Sequence, residues 1–303
     1  VIPYFGTQEK PECHMLYNVT TMATTWHSLA TKDVRLLKEQ LDIVNGLPKE
    51  YTFLNYLRCH DDIGWGLDFC ALKKWHMEEI PHKKFLNDYF TGQYQGSESR
   101  GELYNDDPVT KDARFCGTTA SMCGIEKAKE EKNREKMKTA IRKDLMLHAY
   151  LLMQSGIPML YSGDEIGQIN DYSYKENEKK REDSRYVHRG SFNWKSAEKR
   201  NNHGTIESEI FHTLNRMEKI RDHEETFKPE ATVMTQETND KEVLCIIRKQ
   251  NGETLIGVFN FSDQTKTIFL PEQQKYRELI RDEEQEEGKI ILPEFGFVWC
   301  KAF

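Results

Sequence analysis

The stretch Tyr51-Thr-Phe-Leu-Asn-Tyr-Leu-Arg-Cys-His-Asp-Asp-Ile-Gly-Trp-Gly66 decides the fold class. Its first nine residues, Tyr51 to Cys59, carry aromatic and apolar side chains on both parities. A strand with one wet face alternates, so this run reads as a strand covered on both faces, as in a parallel sheet or barrel. It stops abruptly at the polar triplet His60-Asp61-Asp62, followed by Gly64 and Gly66. Barrel enzymes place catalytic groups at the C-terminal ends of strands, where the strand fixes position and the following loop is free to vary. The bland alternative is a capping cluster at a βα turn, with Asp62 starting the next element.

Working outward, Glu12-Cys-His-Met-Leu-Tyr17 is short and partly apolar. Met22, Trp26, Leu29, Leu37, Leu41 and Val44 then recur at helical steps, which predicts one helix over 18–44, stopped by Gly46 and Pro48. Residues 67–136 are too many for an ordinary βα loop. Trp75, Phe85, Tyr89, Phe90, Tyr94, Tyr104 and Phe115 give them a core, so they read as an inserted subdomain. Ile141, Leu145, His148 and Leu152 mark a second helix, closed by Ser155-Gly156. A short apolar strand, 157–161, leads into the loop Ser162-Gly163-Asp164-Glu165-Ile166-Gly167. Helix, glycine, strand and polar loop in that order are the grammar of an α/β barrel. A long polar loop follows over 170–194, and another helix over about 205–221. From Ala231 short β-rich runs (242–248, 254–261, 266–270, 289–292 and 297–301) alternate with turns, the pattern of a small all-β sandwich. There is no internal repeat.

The 303 residues carry 43 basic and 50 acidic side chains, a net charge of −7, without the clustered Lys and Arg of a nucleic-acid surface. No apolar run approaches the roughly 18 residues of a membrane helix. The chain begins at Val1, so the natural start is expected upstream and the absence of a signal peptide carries little weight. Seven scattered cysteines without a C-x-x-C pair speak against a disulfide framework or a zinc site and for a reducing, cytoplasmic compartment. His14, His27, His76, His82 and His203 show no metal-ligand spacing, and no metal or cofactor is expected.

Two further constellations stand out. In Gly163-Asp164-Glu165 the aspartate reads as a helix cap and the glycine as the turn, with support of a neighbouring site as the other reading. Asp183-Ser-Arg185 with His188-Arg189 is a solvated charged face in the ordinary case. It also follows a strand on the same rim as His60 and Asp61, where the planar fork of Arg185 suits a sugar hydroxyl or an acidic pocket.

The segments 54–65, 155–167 and 183–189 together resemble glycoside hydrolase family 13, the α-amylase family, and its amylosucrase and sucrose-hydrolase branch best. The helix with Met22-Ala-Thr-Thr-Trp26 and Leu29-Ala-Thr31 and the large insertion look like that branch too. The resemblance implies an α/β fold: residues 1–230 as the C-terminal part of a (β/α)₈ TIM barrel, carrying its sixth to eighth strands and an insertion at about 67–136. Residues 231–303 would be the family's C-terminal β-sandwich. It implies that His60 contacts the sugar and that Asp61 is the third family carboxylate, holding substrate hydroxyls and stabilising an oxocarbenium-like transition state. Asp62 would face the acceptor, Arg185 would sit at the base of the glucose pocket paired with an acidic group from outside this chain, and Arg100 would touch bound oligosaccharide.

Retaining glycosidases need a nucleophile and a general acid roughly 5–5.5 Å apart. The Gly-Phe-Arg-x-Asp-Ala type of nucleophile segment occurs nowhere in this sequence. The expectation is therefore part of an enzyme hydrolysing or transferring glucosyl units from sucrose or α-glucans, inactive alone, whose partner is the remaining half of the barrel or a second copy. Two other readings are a non-catalytic carbohydrate-binding or interaction fragment and a metal-dependent His-Asp phosphohydrolase. The latter wants further ligands on helices around the pair, and here the pair ends a strand.

Overall fold

The computed structural model describes residues 2–7, 9–270, 275–285 and 288–303. In chain order come β1 (Met15–Tyr17), α1 (Val19–Thr31), α2 (Arg35–Asn45), β2 (Thr52–Tyr56), β3 (Ile63–Gly64), α3 (Phe69–Lys73) and α4 (Glu79–Phe90). Next are β4 (Glu102–Tyr104), β5 (Arg114–Cys116), α5 (Thr119–Cys123), α6 (Ile125–Glu130), the long α7 (Arg134–Met153), β6 (Ile157–Met159), α8 (Trp194–Glu198) and α9 (Ile206–His223). The C-terminal strands are β7 (Thr232–Gln236), β8 (Val243–Gln250), β9 (Glu253–Asn260), β10 (Lys266–Phe269), β11 (Tyr276–Glu278), β12 (Glu283–Gln285), β13 (Lys289–Leu292) and β14 (Phe297–Ala302). The chain forms two compact units, one of residues 1–56, 146–159 and 215–303, the other of 57–145 and 160–214.

In the first unit β1, β2 and β6 make a parallel sheet in that order, with Met15 opposite Thr52 and Leu54 opposite Ile157. The single helix expected over 18–44 is two helices. Lys32 takes a left-handed φ of 56° and its N–H closes α1 on the Ser28 carbonyl, while the Asp33 carboxylate accepts from the Arg35 N–H to start α2. Met22, Trp26 and Leu29 on one helix and Leu36, Leu37 and Leu41 on the other are all buried. The apolar period thus runs through a break that hydrophobic spacing does not register.

The β-rich C-terminal segment contains a six-stranded antiparallel sheet, ordered β12-β11-β14-β9-β8-β7, and a pair β10-β13. Ile247, Val258, Val298 and Tyr276 from the larger sheet share one core cluster with Ile290 and Leu292 from the smaller. Sequence reasoning found five of these strands and missed β7, β11 and β12. The last two are three residues each and polar or charged in part, too short to show a period. Within this unit Arg248, 2% exposed, reaches the carbonyls of Met153 and Gln154 at 3.0 and 3.2 Å, and Arg221 reaches that of Gly156 at 2.9 Å. Two cations thus satisfy carbonyls that the end of α7 and its exit turn leave open.

The second unit holds the antiparallel sheet β3-β5-β4. Trp65 stacks on Phe115 at 4.7 Å, Phe115 on Phe90 at 4.7 Å, and the Trp65 indole donates to Asn87 at 2.9 Å. The aromatics expected to give residues 67–136 a core thus include a buried stack. No helix among the described residues is long and apolar enough to cross a membrane.

The exit from α7 into β6 depends on Gly156, whose φ is +101° and where an added Cβ would stand 2.4 Å from the Phe53 carbonyl oxygen. Strain at such a φ costs about 1–3 kcal/mol before any clash. Gly156→Ala should therefore lose at least about 2 kcal/mol in urea denaturation, and an unchanged midpoint would show that the turn is not constrained.

Candidate functional site

The site is built on the segment that leaves β2, and every contact described here lies within the second unit. Arg58 is the first anomaly, a charged residue in an otherwise apolar run, 2% exposed. Its guanidinium meets the Asp164 carboxylate, with Nη2 and Nε at 2.7 and 2.9 Å from Oδ1, and lies over the Tyr161 ring at 4.5 Å. The N-cap of the short turn Asp164–Ile166 is Gly163, at a left-handed φ of 99°. A buried charge needs a partner, and Arg58 and Asp164 each supply the other's. Breaking such a pair costs about 3–5 kcal/mol.

The second component is the turn 184–188. Asp183 accepts from the Arg185 N–H at 3.0 Å, which starts the turn, and grips the guanidinium of the same residue with Nε and Nη2 both at 2.9 Å. That paired contact holds the Asp183 carboxyl below its ordinary range and pushes the Arg185 guanidinium further up. Among the described residues, the acidic partner of Arg185 is its own neighbour two residues back. Ser184 donates to the Leu103 carbonyl at 2.6 Å, and Arg185 lies on the Tyr104 ring at 4.5 Å. Val187 packs with Cys116 and Tyr174 beneath.

From that anchored turn, two residues reach back to His60. His188, 5% exposed, accepts the Gly117 N–H on Nδ1 at 3.0 Å. Its proton is thereby assigned to Nε2, which stands 3.3 Å from the His60 carbonyl oxygen and donates to it. Arg189 donates from Nε to the same oxygen and from Nη2 to Asp61 Oδ1 at 3.2 Å. Arg185 Nη1 lies 3.7 Å from Asp61 and 4.0 Å from Asp62. His60, Asp61, Asp62 and Arg185 are therefore brought together, with the Asp61 side chain 54% exposed and the His60 ring 3.4 Å from it. Arg100 is not brought to this cluster. It donates to Glu130 at 3.2 Å and to the Ser99 carbonyl at 3.3 Å.

Among the described residues, Cys59, His60 and Asp61 place potential ligand atoms within 4.8 Å of one another. The Asp61 carboxylate is already shared by Arg189 and Arg185, whose positive charges would oppose a cation there. Sequence reasoning missed the Arg58–Asp164 pair and the parts played by His188 and Arg189. The first was open to detection, since a charge in an otherwise apolar run demands a counter-charge; Arg58 itself lies two residues beyond the end of β2.

Burial, helped by the Arg58 charge, pushes the His188 pKa down to about 4. The unfolded value is about 6.5, so below that pH the unfolded chain takes up the proton first. Stability is complete above about pH 6.5 and falls as the pH drops towards 4; His82, also lowered to about 4 by burial, acts in the same window. From pH 7 to 5 the wild type should lose about 2 kcal/mol more than His188→Gln, whose amide can replace both hydrogen bonds. Parallel curves for the two proteins in urea denaturation at both pH values would contradict this.

No family model matches the chain. In sequence it is similar to the glucosylglycerate phosphorylase of Escherichia coli, 23% identical over 308 residues, covering 99% of this chain and 50% of that protein. In fold it is similar to AmyP in complex with maltotriose, with a TM-score of 0.63 at 12% identity, covering 98% of this chain and 52% of that one. It is similar also to the sucrose 6F-phosphate phosphorylase of Thermoanaerobacter thermosaccharolyticum, with a TM-score of 0.60 at 16% identity, covering 92% and 48%. The chain spans about half the length of these relatives. In sequence and in fold, it resembles the C-terminal portion of enzymes of glycoside hydrolase family 13, the α-amylase family.

Proposed function

We propose that the chain supplies the C-terminal part of the catalytic barrel of a retaining α-glucoside-active enzyme, with residues 1–230 as barrel and insertion and 231–303 as a β-sandwich. Asp61 is the carboxylate that holds sugar hydroxyls and stabilises the developing positive charge; His60 contacts the same ring, and Asp62 and Arg185 line the pocket beside them. The observation that carries this reading is the state of Asp61. Its carboxylate is open to solvent, yet oriented by Arg189 at 3.2 Å and Arg185 at 3.7 Å. A carboxylate that is both accessible and held suits a transition state whose charge develops at a fixed point. Arg100, engaged with Glu130 at 3.2 Å, belongs to oligosaccharide binding away from the reacting bond.

Double displacement needs two further carboxylates across the scissile bond, and the reading places them on another segment. Met15, Tyr17 and Ile157 on the outer strands of the parallel sheet are 45%, 53% and 46% exposed, which favours a partner at those edges, either the rest of the barrel or a second copy. All seven cysteines are free, in keeping with a cytoplasmic setting. Donor and acceptor are read from the relatives. The amylosucrase branch implies sucrose or an α-glucan, while the similarity to a glucosylglycerate phosphorylase favours a second reading in which phosphate accepts the glucosyl unit.

The protein, expressed with any residues encoded upstream of Val1, should release or transfer glucose from an α-glucoside, and Asp61→Asn should lower turnover by at least about a thousandfold. An Asp61→Asn enzyme with full activity would remove the assignment. Saturable maltose binding with no turnover in any form of the protein would favour the non-catalytic carbohydrate-binding reading instead.

A further inference from the structure

Away from the Asp61 cluster, and wholly within the second unit, a cavity of about 240 Å³ lies between residues 166–171 and 191–196. Its walls are held in place before anything enters. The Gln168 side-chain amide bridges to the facing segment twice, donating from Nε2 to the Ser191 carbonyl at 3.2 Å and accepting the Asn193 N–H on Oε1 at 3.0 Å. Asp171 donates its own N–H to the Val187 carbonyl at 2.8 Å. Gly190 lets the two segments close, because a Cβ there would stand 2.8 Å from both Cβ and Oδ2 of Asp171.

The lining is divided in its chemistry. Ile125 and Ile166, 1% and 2% exposed, give it an apolar part. Beside them stand polar groups with capacity that the fold does not use. Asp171 spends Oδ1 on the Ser173 N–H at 2.9 Å, and Asn193 spends Oδ1 on the Ser196 N–H at 2.9 Å. Among the described residues, Asp171 Oδ2, the Asn193 amide nitrogen, the Ser191 hydroxyl and the Lys129 ammonium have no partner in the protein. Glu207, the other charged lining residue, is paired with Lys199 at 3.2 Å. The unspent set therefore holds donors and an acceptor, and its single positive and single negative charge offset each other.

The cavity is smaller than the roughly 300–1,000 Å³ of sites for drug-sized ligands, so it takes one small molecule. Apolar wall beside donors and acceptors of no net charge suits a neutral polyhydroxylated ring, whose C–H face packs on isoleucine while its hydroxyls both donate and accept. We infer that this cavity binds a single free hexose or cyclic polyol, at a place separate from the Asp61 cluster. The inference does not rest on the α-glucoside reading, since none of the lining residues belongs to that cluster.

Amide NMR on the full chain, titrated with glucose and with glycine as a zwitterionic control, tests this. Glucose should shift the Gln168, Ser191 and Asn193 resonances saturably, glycine should not, and the shifts should persist in Asp61→Asn. Asp171→Asn keeps the Ser173 contact but turns the facing acceptor into a donor, and should weaken glucose binding about tenfold or more. Ser191→Tyr, at an exposed side chain with no hydrogen bond of its own, should fill the space and abolish binding with the melting temperature unchanged. Shifts confined to His60, Asp61 and Arg185, glycine binding in place of glucose, or equal affinity in wild type and both cavity variants would each overturn the inference. A failure of the Asp61→Asn enzyme assay would bear only on the α-glucoside reading and leave this result standing.

Discussion

One carbonyl oxygen, that of His60, organises the region. It accepts from the buried neutral imidazole of His188 and from the Arg189 guanidinium, and both donors come from a turn already fixed by Asp183 and Ser184. The His60–Asp61 peptide is therefore anchored in its main chain as well as its side chains. This matters because a loop after a strand has no ladder partner of its own, and a carboxylate on a free loop would pay an ordering cost at each binding event. Here the cost is met in folding. His188 has to be neutral for this, since Nδ1 accepts from Gly117; the burial that depresses its pKa is what keeps that acceptor available.

Charge is matched locally in the same spirit. Asp61, Asp62 and Asp183 face Arg114, Arg185 and Arg189, so the cluster is neutral as a whole while its contacts differ widely in quality. Asp183–Arg185 is paired through both oxygens, Asp61–Arg189 through one, and the two contacts of Asp62 stop at 4.0 Å. Exposed pairs of this kind add little to stability. Their consequence is geometric: the firm pairs fix the turn, and the loose ones leave Asp62 without a hydrogen bond from Arg114 or Arg185.

How much of this was legible beforehand follows from what each residue had to satisfy. β2 was readable because its aromatic and apolar run is one that no loop tolerates, although the strand is Thr52–Tyr56, shorter than the nine residues expected, with Thr52 and Leu54 only half-buried; the parallel sheet and the helix into β6 followed from the same periodic logic. His60, Asp61 and Asp62 were readable as a group because a polar triplet after an apolar run needs partners, and the structure supplies them in Arg185 and Arg189. The break at Lys32 was not, since it depends on one residue's φ and leaves the apolar spacing intact. Arg189 and His188 looked like ordinary members of a charged loop because their partner is a main-chain carbonyl 129 and 128 residues away in the chain, and carbonyls have no signature in sequence.

Gly64 and Arg114 show the same limit from the other side. Each is unremarkable alone, one a turn glycine and the other an exposed arginine at a strand start. Their meaning appears only in the antiparallel register that sets them opposite each other, where the missing Cβ is the space the guanidinium occupies. Register is a property of pairing, fixed by side chains on both strands. A strand of two residues such as β3 carries too little pattern to announce its partner. The surroundings of Asp62 are thus set by a strand that sequence alone would have passed over, and they depend on β5 as much as on the segment that leaves β2.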